Sequence, residues 1–241
     1  MAKIDALGYV VAQSTDLGQW VHYGEQVLGM STQAVGDALY LKMDERDYRI
    51  LVIPGDEDRY YASGWEVTDQ GRFDAAVAAL KEAGVEVTAG SEQEKALRQV
   101  SDLASFTDAA GNRQEISVGY SGGAKPFVSP IGVSGFKTGE MGMGHTVLPA
   151  LPFDETEKLY TDVLGFRVSD EFGFQPAPDA PVMRMHFLHC NGRHHSLAFG
   201  EMPNRHCPRP AFGDLPLPFD GDDATAVTAA SVAKEKKKAK A

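Results

Sequence analysis

Seven histidines are the side chains of this 241-residue chain best suited to acid/base or metal chemistry: His22, His145, His186, His189, His194, His195 and His206. Imidazole changes charge near neutral pH and ligates metals when neutral, so placement decides more than number. Four of them crowd the stretch from Met183 to Phe199, around Asn191-Gly192. A lone strand histidine is more often packed or solvated than a ligand. His22, within a helical pattern, and His206, among prolines, read that way, as do His186, His189 and His194. His145 and His195 stand apart because of where they fall in an internal repeat.

An Asn-Gly pair between two β-like runs predicts a hairpin. Alternation along the second strand would place His195, Leu197 and Phe199 on one face. A two-residue turn would set Leu188 opposite His195. A three-residue turn, Cys190-Asn191-Gly192, would set Phe187 there. The second register is favoured, because it puts an aromatic wall beside a polar histidine.

The repeat emerges when Gly8-Tyr-Val-Val is placed over Gly144-His-Thr-Val and extended without gaps. Val27-Leu28-Gly29 then falls on Val163-Leu164-Gly165. Each copy predicts a short strand, a polar turn and a helix stopped by glycine, where a left-handed cap favours that residue. In the second copy Asp154-Glu155 fills the first helical turn, where negative charge suits the helix dipole. Further on, Asp44 to Leu51 lies over Asn191 to Ala198, which sets Arg46 on Arg193 and Tyr48 on His195. The first copy continues through Gly64-Trp-Glu-Val, a helix from Phe73 to Ala83 and a strand near Gln114-Glu115-Ile116. His145 thus stands where its sister copy has Tyr9, and His195 where it has Tyr48. Histidine in one copy and an inert residue in the other suggests an active module beside a scaffold module.

The expected architecture is α+β, built from paired βαβββ modules. Residues 1–120 form a complete N-terminal domain, 121–140 a Gly/Ser/Pro-rich linker, and 141–204 the first half of a C-terminal domain. After Asn204 the pattern changes, and the prolines of Arg205-His-Cys-Pro-Arg-Pro do not suit a central strand. Residues 205–241 therefore read as an atypical tail, disordered or helical. A net charge of −11 argues against a nucleic-acid surface. No apolar run reaches the ~20 residues of a membrane span. With two cysteines and no secretory signal in view, a cytoplasmic setting is expected.

Met141-Gly-Met-Gly-His-Thr-Val-Leu, Tyr160-Thr-Asp-Val-Leu-Gly-Phe and Phe187-Leu-His-Cys-Asn-Gly-Arg-His-His-Ser-Leu-Ala-Phe together resemble the type I extradiol catechol dioxygenases, nearest to the 2,3-dihydroxybiphenyl 1,2-dioxygenases of the vicinal oxygen chelate superfamily. The resemblance spans about residues 3–204. It implies Fe(II), or Mn(II), held by two histidines and one carboxylate, a ligand set that leaves metal positions open for a catecholic substrate and O₂. It implies ring opening beside the vicinal hydroxyls in aromatic catabolism, and a homo-oligomer in the intact family member. Carried over by position, His145 is the first metal ligand and His195 the acid/base beside the bound catechol. Val147 and Phe187, with His195, line the substrate pocket.

The family's second ligand histidine would follow the His-His-Ser-Leu-Ala-Phe strand by about fifteen residues, where this chain has Pro208-Arg-Pro-Ala-Phe. The carboxylate would lie at the repeat position of Glu115, beyond residue 241. Two ligands are thus expected to be absent from this chain, which reads as truncated or frameshifted after about residue 204, with weak or no activity. Two other readings stay open: a non-catalytic aromatic-ligand-binding protein of the same fold, and a glyoxalase- or epimerase-like metal-dependent isomerase.

Overall fold

The computed structural model describes residues 2–175 and 177–202. The expectations for 205–241 and for His206 fall outside the described residues. The chain opens with β1 (Ala6–Ser14), α1 (Leu17–His22), β2 (Ser31–Val35), β3 (Ala38–Lys42) and β4 (Ile50–Pro54). It continues through β5 (Arg59–Val67), α2 (Gln70–Glu82), β6 (Val87–Ala89), α3 (Glu92–Arg98), β7 (Asp102–Thr107) and β8 (Arg113–Val118). These strands form one sheet in the order β2-β3-β4-β1-β5-β8-β7-β6. It contains two βαβββ units joined edge to edge where β1 pairs antiparallel with β5. In each unit the first strand runs parallel to the last, β1 with β4 and β5 with β8.

A third unit repeats the plan: β9 (Thr146–Pro149), α4 (Phe153–Lys158), β10 (Arg167–Phe174), β11 (Met183–His189) and β12 (Leu197–Gly200). Its order is β10-β11-β12-β9, with β12 parallel to β9. Between the sheets, residues 121–138 carry no strand or helix. The repeat shows in local geometry too. Both α1 and α4 run on into a π-helical turn, Tyr23–Leu28 and Leu159–Val163. The glycines that follow, Gly29 (φ 70°) and Gly165 (φ 76°), adopt the left-handed conformation that the sequence requires of them. Asp16 caps α1 by accepting from the amides of Gly18 and Gln19.

One apolar core runs continuously beneath both sheets. It includes Trp65, Phe73 and Leu80 from the first half and Phe153, Tyr160, Leu164, Phe166 and Phe199 from the second. Trp65 is fully buried, donates Nε1–H to Gln114 (2.8 Å), and meets the Phe166 ring edge-on at 5.0 Å. Backbone bonds stitch the halves as well, from Ala2 N to Val163 O and from Met143 N to Leu7 O, both 2.9 Å. Buried Asp108 is a polar hub at this seam. It accepts from the Asn112 side chain and amide, and from Tyr160 Oη at 3.0 Å, while Asn112 Nδ2 reaches Pro149 O.

Truncating Trp65 to alanine would open a cavity at the seam, with an expected loss of about 3–5 kcal/mol. Urea unfolding should show it as a lower midpoint in a transition that still loses both halves together. Burial raises the Asp108 carboxyl above its ordinary value, against the pull of its hydrogen bonds. A raised acid binds its proton more tightly folded than unfolded, so its contribution is full below about pH 4 and is lost as pH rises through the folded value. The melting-temperature difference between wild type and Asp108→Asn should therefore shrink from pH 4 to pH 7; a constant difference would contradict this.

Candidate active site

The second sheet has two unlike faces. On one, Leu188, Leu197 and Thr146 form a buried row across β11, β12 and β9, and His186, Phe199 and Leu148 form the next. This face packs on α4, where Phe153 touches both Phe199 and His186. On the other face Phe187, Ala198 and Val147 lie in register across the same three strands. Phe187 and Val147 remain partly open, so among the described residues this face is an apolar floor that is not fully covered.

At the end of that floor the rings of His145 and His195 stand 4.4 Å apart by centroid, tilted by 50°. Their closeness follows from the parallel pairing of β9 with β12. His145 immediately precedes β9, and Thr146 N bonds Ser196 O at 3.1 Å, so the entries to the two strands are neighbours. Phe187 meets His195 edge-on at 4.9 Å. The four residues carried over by resemblance are thus gathered on one side of the sheet.

The route to that arrangement differs from the expected hairpin. Leu188 pairs with Leu197 and Phe187 with Ala198, so neither Leu188 nor Phe187 is the strand partner of His195. Residues 190–196 form a seven-residue connection, and His195 lies in it ahead of β12. His145 likewise precedes β9 instead of belonging to it. The aromatic wall is present, but it comes from the loop folding back over the strand. The physical reason is that the side chains of Asn191 and Arg193 reach backbone carbonyls far outside the loop, at Asp5 and at residues 137–142. Asn191 Nδ2 donates to Asp5 O (2.9 Å), and its Oδ1 accepts from the Arg193 amide (3.0 Å). The Arg193 guanidinium donates to Lys137 O (2.6 Å), Met141 O (3.1 Å) and Gly142 O (3.0 Å). Sequence reasoning placed Arg193 opposite Arg46 in the repeat without seeing this role. Three carbonyls converging on one guanidinium need the folded loop to be recognised.

The remaining histidines separate by surroundings. His22 is exposed on α1. His186 faces the core and shares a 2.6 Å hydrogen bond with Glu157. His189 shares one of 2.6 Å with Ser169, which also donates to His194 O. His194 is exposed, yet its Nδ1 lies 2.9 Å from Nδ1 of His195, so one ring donates and the other accepts. That contact biases which nitrogen of His195 holds the proton. Burial first, then the nearby charges of His145, His194 and Arg193, push the His195 imidazole down to about 4. At neutral pH it is therefore an uncharged ring.

Among the described residues no group of three or more His, Cys, Asp or Glu side chains is placed to hold a metal ion. Two imidazoles without a carboxylate do not make up the expected two-histidine, one-carboxylate set, so the described residues do not by themselves fit a ferrous centre.

Comparison with known proteins bears on the family directly. Residues 7–55 match the family model "Dihydroxybiphenyl dioxygenase BphC D1". Residues 142–235 match "Glyoxalase/Bleomycin resistance protein/Dioxygenase superfamily", a match that continues past Asn204. An iron-dependent extradiol dioxygenase of Rhodococcus jostii (strain RHA1) is 38% identical over 209 residues, covering 83% of this chain and 69% of that protein. The chain belongs to the extradiol dioxygenase family. A second member of that family, biphenyl-2,3-diol 1,2-dioxygenase of Metapseudomonas furukawaii, is 38% identical over 203 residues, covering 83% of this chain and 67% of its own. Among solved structures, that of BphC, a halotolerant catechol dioxygenase, superposes with a TM-score of 0.74 at 34% identity, covering 82% of this chain and 65% of that one. The chain thus spans about two thirds of the length of these extradiol dioxygenases. Among the described residues, no helix is long and apolar enough to cross a membrane.

Arg193→Ala should release the loop while leaving the sheet intact. Hydrogen exchange across residues 190–196 is expected to quicken about tenfold, for a loss of roughly 1–2 kcal/mol, with β11 protection unchanged. Unchanged exchange in the loop would show that Arg193 does not hold it.

Proposed function

We propose that this chain carries the substrate-facing half of an extradiol ring-cleaving site, acting on a catechol such as biphenyl-2,3-diol with O₂. The observation that carries this reading is the convergence of His145, His195 and Phe187 over the Phe187–Ala198–Val147 floor. Val147 and Phe187 present apolar walls to an aromatic ring. His195, neutral at pH 7, is placed to take a proton from a hydroxyl of that ring. His145 is the described residue that would ligate the metal, Fe(II) with Mn(II) as the alternative ion. Its companions, a second histidine and a carboxylate, are not among the described residues. In this reading 1–120 is the non-catalytic domain, 121–140 a linker, 141–204 the start of the catalytic one and 205–241 an atypical tail. The setting is the cytoplasm, and the working form is a homo-oligomer.

The test is metal content together with oxygen uptake. The chain is loaded with Fe(II) without oxygen, desalted, analysed for iron, and then mixed with biphenyl-2,3-diol in an oxygen electrode. Ring-opened product forming in step with O₂ consumption, and falling at least about a hundredfold in His195→Ala, supports the proposal. Tight, chelator-insensitive binding of the diol with no O₂ uptake would replace it with an aromatic-ligand-binding role. Turnover of a 2-oxoaldehyde adduct without O₂ would replace it with isomerase chemistry.

A further inference from the structure

The first module repeats the geometry of the second module's site, filled from within. Across β3, β4 and β1 the row Tyr40–Leu51–Val11 stands where Phe187–Ala198–Val147 stands across β11, β12 and β9. The ring contacts repeat as well. Tyr9 and Tyr48 lie 5.5 Å apart, in the positions of His145 and His195, and Tyr40 lies 4.5 Å from Tyr48, as Phe187 lies against His195. In the second module His145, His195 and Phe187 are each only partly buried. In the first they are enclosed: Tyr9, Tyr40 and Tyr48 are each at most 2% exposed.

What encloses them is α3 and its last residue. Arg98 aims its guanidinium into the cluster, 3% exposed, against a Glu115 carboxylate that is wholly buried. Arg98 Nη2 donates to Glu115 Oε1 (2.8 Å) and Nε to Oε2 (3.1 Å), a two-pronged fit of fork to carboxylate. Tyr9 Oη donates to the same Oε2 at 2.8 Å. The other two phenols turn to the helix end: Tyr48 donates to Arg98 O (2.9 Å) and Tyr40 to Leu97 O (2.6 Å), carbonyls that a helix terminus leaves unpaired. Room for this is made at Gly64, between Tyr9 on β1 and Glu115 on β8, since a Cβ there would lie 2.2 Å from Tyr9 Cζ. The three phenols, the Arg98 fork and the Glu115 carboxylate are each hydrogen-bonded, and Arg113 Nη2, approaching from the partly exposed side, lies 3.6 Å from the same Glu115 Oε1.

We propose that the first module contains a closed counterpart of the second module's site, with the Arg98 guanidinium as its resident cation and α3 as its plug. The site so defined takes a planar, forked cation of the guanidinium class, and aromatic ligands are shut out of the first module because their position is occupied by tyrosines tied to α3. This inference rests on the internal repeat, and it stands whether or not the second module cleaves catechols.

The test is to remove the resident cation and offer it back. Arg98→Ala should lower the melting temperature by about 10 °C, the scale for one partner stripped from a buried ion pair. Ethylguanidinium at sub-denaturing concentration should restore a clear part of that loss by binding the emptied site. Ethylammonium and urea, which lack the charged fork, should not. The same additions should leave wild type unchanged. A variant that melts within 2 °C or so of wild type, or one whose loss is indifferent to ethylguanidinium, would overturn the proposal. If Arg98→Ala does not fold when expressed, refolding with ethylguanidinium present decides: folded protein recovered only with that cation supports the site, and equal recovery with ethylammonium, or none with either, overturns it.

Discussion

The parallel pairing of the first strand of each unit with its last is the constraint on which the rest of this structure depends. A parallel pair cannot be closed by a tight turn, so a helix and two further strands must intervene before the chain returns. That return brings residues about forty to fifty positions apart into one place. His145 and His195 are neighbours because Leu197 lies beside Thr146 and Ala198 beside Val147. The same ladder, with Val11 beside Leu51, sets Tyr9 near Tyr48. The position where a first strand begins and a fourth strand is entered is therefore built three times over by topology, and side chains decide what becomes of it.

Two copies decide oppositely. In the first module both sheet faces are buried, one against the main core and the other around the tyrosine cluster. In the second, one face is packed on α4, while the floor of Val147 and Phe187 is only half covered. The difference lies less in the strands than in what is laid over them. The first module has α3, delivered by the middle unit, whose carbonyls take the Tyr40 and Tyr48 hydroxyls and whose guanidinium takes Glu115. The second has a loop pinned sideways to residues 137–142, which leaves the histidine edge accessible. An uncharged His195, held by His194 and the ring of Phe187, suits a face that must accept both an apolar ring and a proton.

Much of this was legible in the sequence. The ungapped match from Gly8 to Met30 over Gly144 to Phe166 exposed the unit and its glycine stops, because a left-handed cap admits few other residues. Substitution of histidine for tyrosine at two equivalent positions singled out His145 and His195. The register of β11 and β12 was misjudged because Asn191-Gly192 carries the local signature of a tight turn, whereas Asn191 spends its side chain on Asp5 and Arg193 on three distant carbonyls. Long-range bonds overrode local propensity there. The π-helical turns were equally hidden, since nothing in Tyr23–Leu28 or Leu159–Val163 departs from ordinary helical spacing. Arg98 and Glu115 gave no joint signal, being a helix end and a mid-strand carboxylate that only the folded sheet brings together.

The bond from Tyr9 to Glu115 joins residues 106 positions apart, and that from Tyr48 to Arg98 spans 50. Closing such long loops costs chain entropy before any contact rewards it, so a cluster drawn from both ends of the first domain cannot form piecemeal. A chain that has reached only residue 98 during synthesis would hold a buried guanidinium without its carboxylate. The tyrosine cluster is thus a latch that shuts when the eighth strand arrives, and until then the nascent domain has reason to stay open.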